Sequence, residues 1–241
     1  MKKLSAVLAL LLALGCSAPA QLGGSSTPGL SAAMIKMFGE TKAFSAQAEA
    51  RILDKELKEI SILPMTVALR EGKLRAEMDL SELKGGQIPA EAAAMLKGSG
   101  MDRMVTLILP EKKLTVIMYP GLNSYAEMAN AEDTLGDDKF ETTELGSETL
   151  DGHVCTKTKF TTTDAKGKKQ DAIVWKAKDL KGFPIQMQVA QKNNTMILKF
   201  KNPKLEQPEA SLFVMPANYT KYPSVQALMQ AAMMKMFTGG K

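Results

Sequence analysis

The chain has 241 residues, enough for one large domain or two small ones, and a formal net charge of +5 at pH 7. Its 31 basic and 26 acidic residues are scattered along the sequence, so no nucleic-acid interface is expected. A single histidine excludes a zinc site built from several histidines.

The first residues have the order of a secretory signal peptide. Two lysines precede an apolar run, Leu4 to Leu14, which is too short to span a bilayer. We predict a signal peptide over residues 1–20, cleaved after Ala18-Pro19-Ala20, which leaves a net charge of +3 because two lysines are removed from +5. The mature protein is expected in the periplasm or in the medium.

Leu14-Gly15-Cys16 supports an alternative, because it resembles the end of a bacterial lipobox. Cys16 would then be lipidated and the protein anchored to a membrane. Soluble export is favoured, since Ala13 stands where that motif prefers leucine and Leu14 where it prefers a small residue. Cys155 is the cysteine that remains in either case, so no internal disulfide is expected.

After a flexible spacer at residues 21–29, residues 30–241 are predicted to form a single domain that is mostly β-sheet. In "AFSAQAEARIL", from Ala43 to Leu53, apolar and polar residues alternate, which is typical of an antiparallel sheet with one buried face. Asp151-Gly152 between two such runs predicts a tight hairpin. About eleven strands are predicted. They cover residues 44–52, 60–69, 73–80, 104–109, 114–119, 122–128, 139–149, 153–163, 170–178, 184–191 and 195–201.

Three segments are predicted to be helices: Leu30 to Phe38, Pro89 to Lys97, and Ser224 to Phe237. The last has one apolar side at helical spacing and is too short to cross a bilayer. A sheet of this size must curl, and an incompletely closed sheet needs its apolar hollow covered. The predicted fold is therefore α+β: a curved antiparallel sheet, or half-barrel, capped by the three short helices.

Four stretches resemble the periplasmic lipoprotein-carrier superfamily, and more narrowly a secreted bacterial family of that fold with no assigned function. They are Arg70 to Arg75 ("REGKLR"), Asp151 to Cys155 ("DGHVC"), Ile173 to Trp175 with "DLKGFPIQM", and Leu212 to Tyr219 ("LFVMPANY"). The resemblance implies an antiparallel half-barrel with a hydrophobic cavity for acyl chains beneath its helices. Arg75 resembles the arginine region of the carriers, and the alternation places it on the solvent face.

Two patterns suggest other chemistry. His153, Cys155, Lys157 and Lys159 share one strand face, where cations could activate the thiol, but one Cys/His pair favours an ordinary strand with a semi-exposed thiol. Met34-x-x-Met37, Met101-x-x-Met104 and Met233-Met234-x-Met236 could bind Cu(I). Methionines also occupy core positions along the whole chain, which favours an adaptable apolar lining.

The sequence therefore predicts an exported, non-enzymatic protein that binds a lipid, an acyl chain or a lipidated protein. A cell-envelope interaction module with a filled core is one alternative, and a periplasmic Cu(I)-binding protein is another. No catalytic residue, metal site, cofactor or nucleic acid is predicted, whereas contact with a membrane surface fits the role. The lining is expected to comprise Met34, Met37, Phe38, Met78, Leu80, Met95, Met118, Met187, Val189, Met196, Leu198, Phe200, Met229, Met233 and Phe237.

Overall fold

The structure is a computed structural model that describes residues 32–85, 90–129, 139–163, 169–191 and 193–237. The predicted signal peptide, the spacer and Cys16 lie outside these residues. The described part contains three α-helices: α1 (Ala32–Met37), α2 (Ala90–Ser99) and α3 (Val225–Phe237). None of them is long and apolar enough to cross a membrane.

Thirteen strands form one open, curved sheet. They are β1 (Ala43–Leu53), β2 (Glu59–Arg70), β3 (Lys73–Asp79), β4 (Lys84–Gly85), β5 (Arg103–Leu109), β6 (Leu114–Tyr119), β7 (Ser124–Ala129), β8 (Lys139–Leu150), β9 (His153–Thr163), β10 (Lys169–Ala177), β11 (Phe183–Ala190), β12 (Thr195–Lys204) and β13 (Thr220–Tyr222). The prediction of a curved antiparallel sheet with three short helices is confirmed.

The sheet consists of two antiparallel meanders joined at β1. Its order is β13-β7-β6-β5-β3-β2-β1-β12-β11-β10-β9-β8, and β4 pairs with β2 beside β3. Strand β1 lies in the middle, where Ala50 is opposite Leu63 of β2 on one side and Leu198 of β12 on the other. The first and last long strands of the domain are therefore neighbours, so the two halves of the chain share one core.

The predicted count of about eleven strands is too low, because β4 and β13 are missing from it. They have two and three residues, too few for an alternating pattern. Strand β13 is also parallel to β7, and Thr220 N donates to Asn123 O at 2.8 Å. This pairing depends on residues far apart in the sequence, and a local pattern does not contain it.

The predicted hairpin at Asp151-Gly152 is confirmed, since a two-residue turn joins β8 to β9. Both residues have positive φ, 52° and 84°. This combination belongs to the type I′ turn, whose twist matches that of the flanking strands. The register runs from Leu150 opposite His153 to Gly146 opposite Lys157, and it shifts between Glu144 and Gly146.

Apolar side chains cover both faces of part of the sheet. All three helices pack on one face, which we call the helix face, and the opposite face is called the outer face. The main core lies on the helix face, and a smaller cluster around Leu107 and Val116 lies on the outer face of β5 and β6. The segment 207–219, which we call the strap, covers this smaller cluster with its buried Phe213.

Candidate functional site

The helix face is one continuous apolar surface that crosses the sheet. Cross-strand register aligns Val174, Met187 and Leu198 in one row, which continues through Ala50 of β1. Strand β1 contributes only small side chains at Ala46, Ala48 and Ala50, all buried. Large side chains on the neighbouring strands pack around these alanines, and we call this methionine- and phenylalanine-rich centre of the helix face the trough.

Four phenylalanines fill one part of this trough. Phe38 follows α1, and Phe44, Phe183 and Phe200 come from β1, β11 and β12. Ring centroids are 4.7 Å apart for Phe38 and Phe44, and 5.0 Å for Phe44 and Phe183. Tilted and edge-to-face pairs at such distances are favourable. These four rings make a rigid packing unit that holds α1 on the sheet.

Helices α2 and α3 cover the other part of the helix face, and they are packed less deeply. Helix α3 contacts β7, β13 and α2. It buries Leu228 and Ala232, whereas Met229 and Met233 on the same helix are half-buried. Met95 of α2 is also half-buried. The two neighbouring helices thus present flexible, partly exposed methionines at the boundary between the core and solvent.

Most of the predicted lining residues lie on the helix face, at different depths. Those buried in the main core are Met34, Met37, Phe38, Met78, Met187, Leu198 and Phe200. Met196 is buried on the same side of β12 as Leu198, and Leu80 and Val189 pack partly buried against the core. Met95, Met229 and Met233 are half-buried, and the side chain of Phe237 lies outside what the structure describes.

Met118 is placed differently from the expected lining, because it belongs to the outer-face cluster with Val105 and Phe213. All of β6 from Thr115 to Tyr119 is buried, so both faces of this strand are covered. An alternating pattern cannot distinguish two buried faces. Met118 therefore contacts the strap side of the sheet and not the helix side.

Two stretches noted in the sequence, Arg70 to Arg75 and Leu212 to Tyr219, contact each other at the strap. Arg70 Nη1 donates to Pro208 O at 2.6 Å, and Arg75 Nη1 donates to Leu212 O at 3.1 Å. Arg75 is therefore not simply solvated, as its polar neighbours suggested, but holds the strap from beneath. A cleft of about 160 Å³ lies there, lined by residues that include Arg75, Met118, Leu212 and Val214. The sequence did not indicate this cleft, because its walls come from distant segments.

A small charge network lies next to this cleft. Arg75 Nη2 donates to Glu77 Oε2 at 2.9 Å, and Arg103 donates to the other carboxylate oxygen of Glu77. Burial raises the pKa of Glu77, but the hydrogen bonds from Arg103 and Arg75 outweigh it and hold the pKa below its ordinary value. Glu77 therefore remains ionised and fixes the guanidinium of Arg75 in place.

Cys155 is not the semi-exposed thiol that the sequence suggested. Its side chain is fully buried, and burial raises the pKa of the thiol, although a hydrogen bond to the backbone opposes this rise. His153 Nδ1 lies 2.7 Å from Asp179 Oδ2, so the histidine is partnered by a carboxylate and not by the thiol. A buried thiol with a raised pKa is a poor nucleophile.

The methionine pairs are divided between core and surface. Met34 and Met37, like Met101 and Met104, are buried in the main core, whereas Met234 is 68% exposed. Among the residues described, no group of three or more His, Cys, Asp or Glu side chains is arranged to hold a metal ion.

The fold and this helix face define a class of protein: an open, curved antiparallel sheet with short helices on one apolar face. The family model "Domain of unknown function (DUF4412)" matches residues 55–181, and the chain belongs to this family. The matched region extends from before β2 to just after β10 and contains Arg70 to Arg75 and Asp151 to Cys155. The predicted resemblance to a family of unassigned function is confirmed. Among curated proteins, none matches the chain.

Several solved structures are similar to this chain at low sequence identity. A LolA superfamily protein from Nitrosomonas europaea is 11% identical with a TM-score of 0.37, covering 77% of this chain and 98% of its own. Lipoprotein LppX from Mycobacterium tuberculosis is 12% identical with a TM-score of 0.38, covering 70% and 92%. LprF from Mycobacterium bovis is 13% identical with a TM-score of 0.35, covering 78% and 97%.

Proposed function

We propose that this chain is an exported, non-enzymatic binding protein that holds a lipid, an acyl chain or a lipidated partner between its helices and its sheet. The observation that carries this proposal is the pair of helices α2 and α3 with half-buried Met95, Met229 and Met233 above an apolar sheet face. Methionine surfaces repack around varied apolar partners at low cost.

The energy of binding would come from burial of the apolar chain, at about 0.8 kcal/mol per methylene group. Helix α3 is the element that would move, because it is held by Leu228, Ala232 and a few contacts to the sheet edge. The four phenylalanines around Phe44 would stay in place, since their rings are packed against one another. Ligand entry is therefore proposed at the α2 and α3 side of the trough.

Native mass spectrometry tests this function. The protein purified from the exporting cell is expected to carry a lipid adduct that solvent extraction removes, and to take up added oleyl alcohol afterwards. The double variant M229Q/M233Q is expected to lower this uptake several-fold, because glutamine keeps the size and helix propensity of methionine but is polar. M234Q, on the exposed side of the same helix, is the matched control. A clean apo mass without any uptake would refute the proposal.

The outer face supports a second candidate, a cell-envelope interaction module. Leu212 and Val214 are 38% and 64% exposed on the strap, above the cleft that Met118 and Arg75 line. Exposed apolar residues beside a cleft are typical of a contact for another protein. A photo-crosslinking residue at position 214 is expected to capture one defined protein in intact cells, whereas the same residue at position 234 is not. Equal labelling at both positions would refute this candidate.

A further inference from the structure

Lys176 differs from the other lysines of the sheet around it. Lys157, Lys159, Lys199 and Lys201 lie on the outer face, and each has a carboxylate partner. Lys176 is two residues after the buried Val174 on β10, and the alternation places it on the helix face. A cation on a face made otherwise of apolar side chains calls for a physical explanation.

The ammonium group of Lys176 lies between an aromatic ring and the end of helix α1. Lys176 Nζ lies 5.0 Å from the ring centroid of Phe160, a cation–π distance. On its other side is Gly39, just after α1, where an added Cβ would be 3.5 Å from Nζ. The end of α1 carries a partial negative charge. These contacts position the ammonium group, but neither supplies a full negative charge.

Within the described residues, no carboxylate forms an ion pair with Lys176, and burial alone lowers its pKa. Lys176 is half-buried, and even partial burial of a charge without a counterion costs free energy, which an incoming anion would recover. The side chains adjacent to the ammonium group belong to the packed apolar core of the helix face. Val174 and Phe160 are both buried on the same face, and Val174 is opposite Met187 of β11.

We propose that Lys176 binds the anionic head group of a single-chain amphiphile whose hydrocarbon chain lies on the helix face. This inference rests on the proposed function and specifies its ligand as an anionic lipid with a carboxylate or phosphate head. The head would bind Lys176 Nζ near Phe160 and the end of α1, and the chain would reach the buried Val174 and Met187 when the side chains that cover them move aside.

Calorimetric titration of the exported, solvent-extracted protein tests this, with oleate, oleyl phosphate and oleyl alcohol below their micelle concentrations. K176Q is expected to weaken oleate and oleyl phosphate binding about tenfold while leaving oleyl alcohol unchanged. K176R, which keeps the charge, is expected to bind all three as the wild type does. K159Q removes the same charge from the outer face of β9 and is the matched control.

The outcomes separate the two proposals. If K176Q and the wild type bind all three compounds equally, the head-group site is refuted and the apolar binding site stands. If the wild type binds none of them, both proposals are refuted. A tighter complex with oleyl phosphate than with oleate, lost in K176Q, identifies a phosphate head, and the reverse identifies a carboxylate. An equal loss of oleyl alcohol binding in K176Q would also overturn the assignment, because the effect would then not depend on charge.

Discussion

At the scale of single residues, phenylalanine and methionine divide the helix face. The rings of Phe38, Phe44, Phe183 and Phe200 pack at fixed angles and leave little freedom. Methionine has three rotatable bonds and a polarisable sulfur, so it fills irregular space and adjusts to changes in it. One side of the trough is therefore structural, and the other is suited to repacking.

Substitution of Phe44 tests the structural side. F44A is expected to lower the free energy of unfolding by about 3–5 kcal/mol, because the removed ring leaves a cavity beside three other rings. F44L keeps most of the volume and is expected to cost less than about 1.5 kcal/mol. V214A, at an exposed position, is the control. Urea denaturation measures all three, and a loss below about 1 kcal/mol in F44A would contradict a rigid aromatic unit.

Glu77 gives stability a dependence on pH. Because the pKa of Glu77 is lowered, the carboxylate adds to the free energy of unfolding at pH values above its ordinary pKa of 4.5. This stabilisation is lost as the pH falls through the lowered pKa. E77Q is expected to cost about 1 kcal/mol at pH 7, a modest value because the pair with Arg103 is partly exposed. Denaturation at pH 7 and pH 3 should show the difference from the wild type shrinking in acid. A difference independent of pH would exclude a role for the charge.

At the scale of elements, the strap and α3 are attached by few but identifiable contacts. The strap is held by Phe213 in the outer cluster and by arginine donors to its carbonyls. Helix α3 begins at a cap, since Ala227 N donates to Ser224 Oγ at 3.0 Å. Each element can therefore open without unfolding the sheet.

The cap of α3 can be tested alone. S224A is expected to destabilise the start of the helix by about 1 kcal/mol, and its amides should exchange with solvent about fivefold faster. S224D keeps a capping oxygen and is expected to retain the wild-type protection. Hydrogen exchange followed by mass spectrometry measures this. Unchanged exchange in S224A would show that packing, not the cap, limits the opening of α3.

The attachment of the strap is testable with a glutamate-specific protease, since Glu206 lies just before the strap, Glu209 lies near its start, and both are exposed. F213A removes the buried ring and is expected to increase cleavage there about tenfold or more, because local opening becomes easier. L212A changes the exposed neighbour and should be cleaved like the wild type. Equal rates in both variants would show that the arginine bonds alone hold the strap.

At the scale of the whole molecule, the two meanders meet at β1, so the apolar face is continuous across residues that are far apart in the chain. Ala48 of β1 is opposite both Met65 and Phe200. Both halves of the chain therefore contribute to one apolar face. Export of the protein remains a prediction from residues 1–20.

That prediction can be tested in a bacterial host. The processed chain is expected to start at Gln21 and to appear in the soluble periplasmic fraction, because the residues before Cys16 fit a lipobox poorly. C16S is expected to give the same product. Incorporation of labelled palmitate that disappears in C16S would instead establish the anchored form.

The sequence by itself determined the longer strands, their turns and the helices, because alternation and turn chemistry are local. The Asp151-Gly152 hairpin is an example, since two adjacent residues with positive φ are sufficient to form it. Only the tertiary structure decided what required distant partners: the hydrogen bond from Arg75 to Leu212 O, the outer position of Met118, and the pairing of β13. The tertiary structure also distinguished Lys176 from the paired lysines around it, because neighbouring strands decide which lysines meet a carboxylate. Among the described residues, Lys176 meets none.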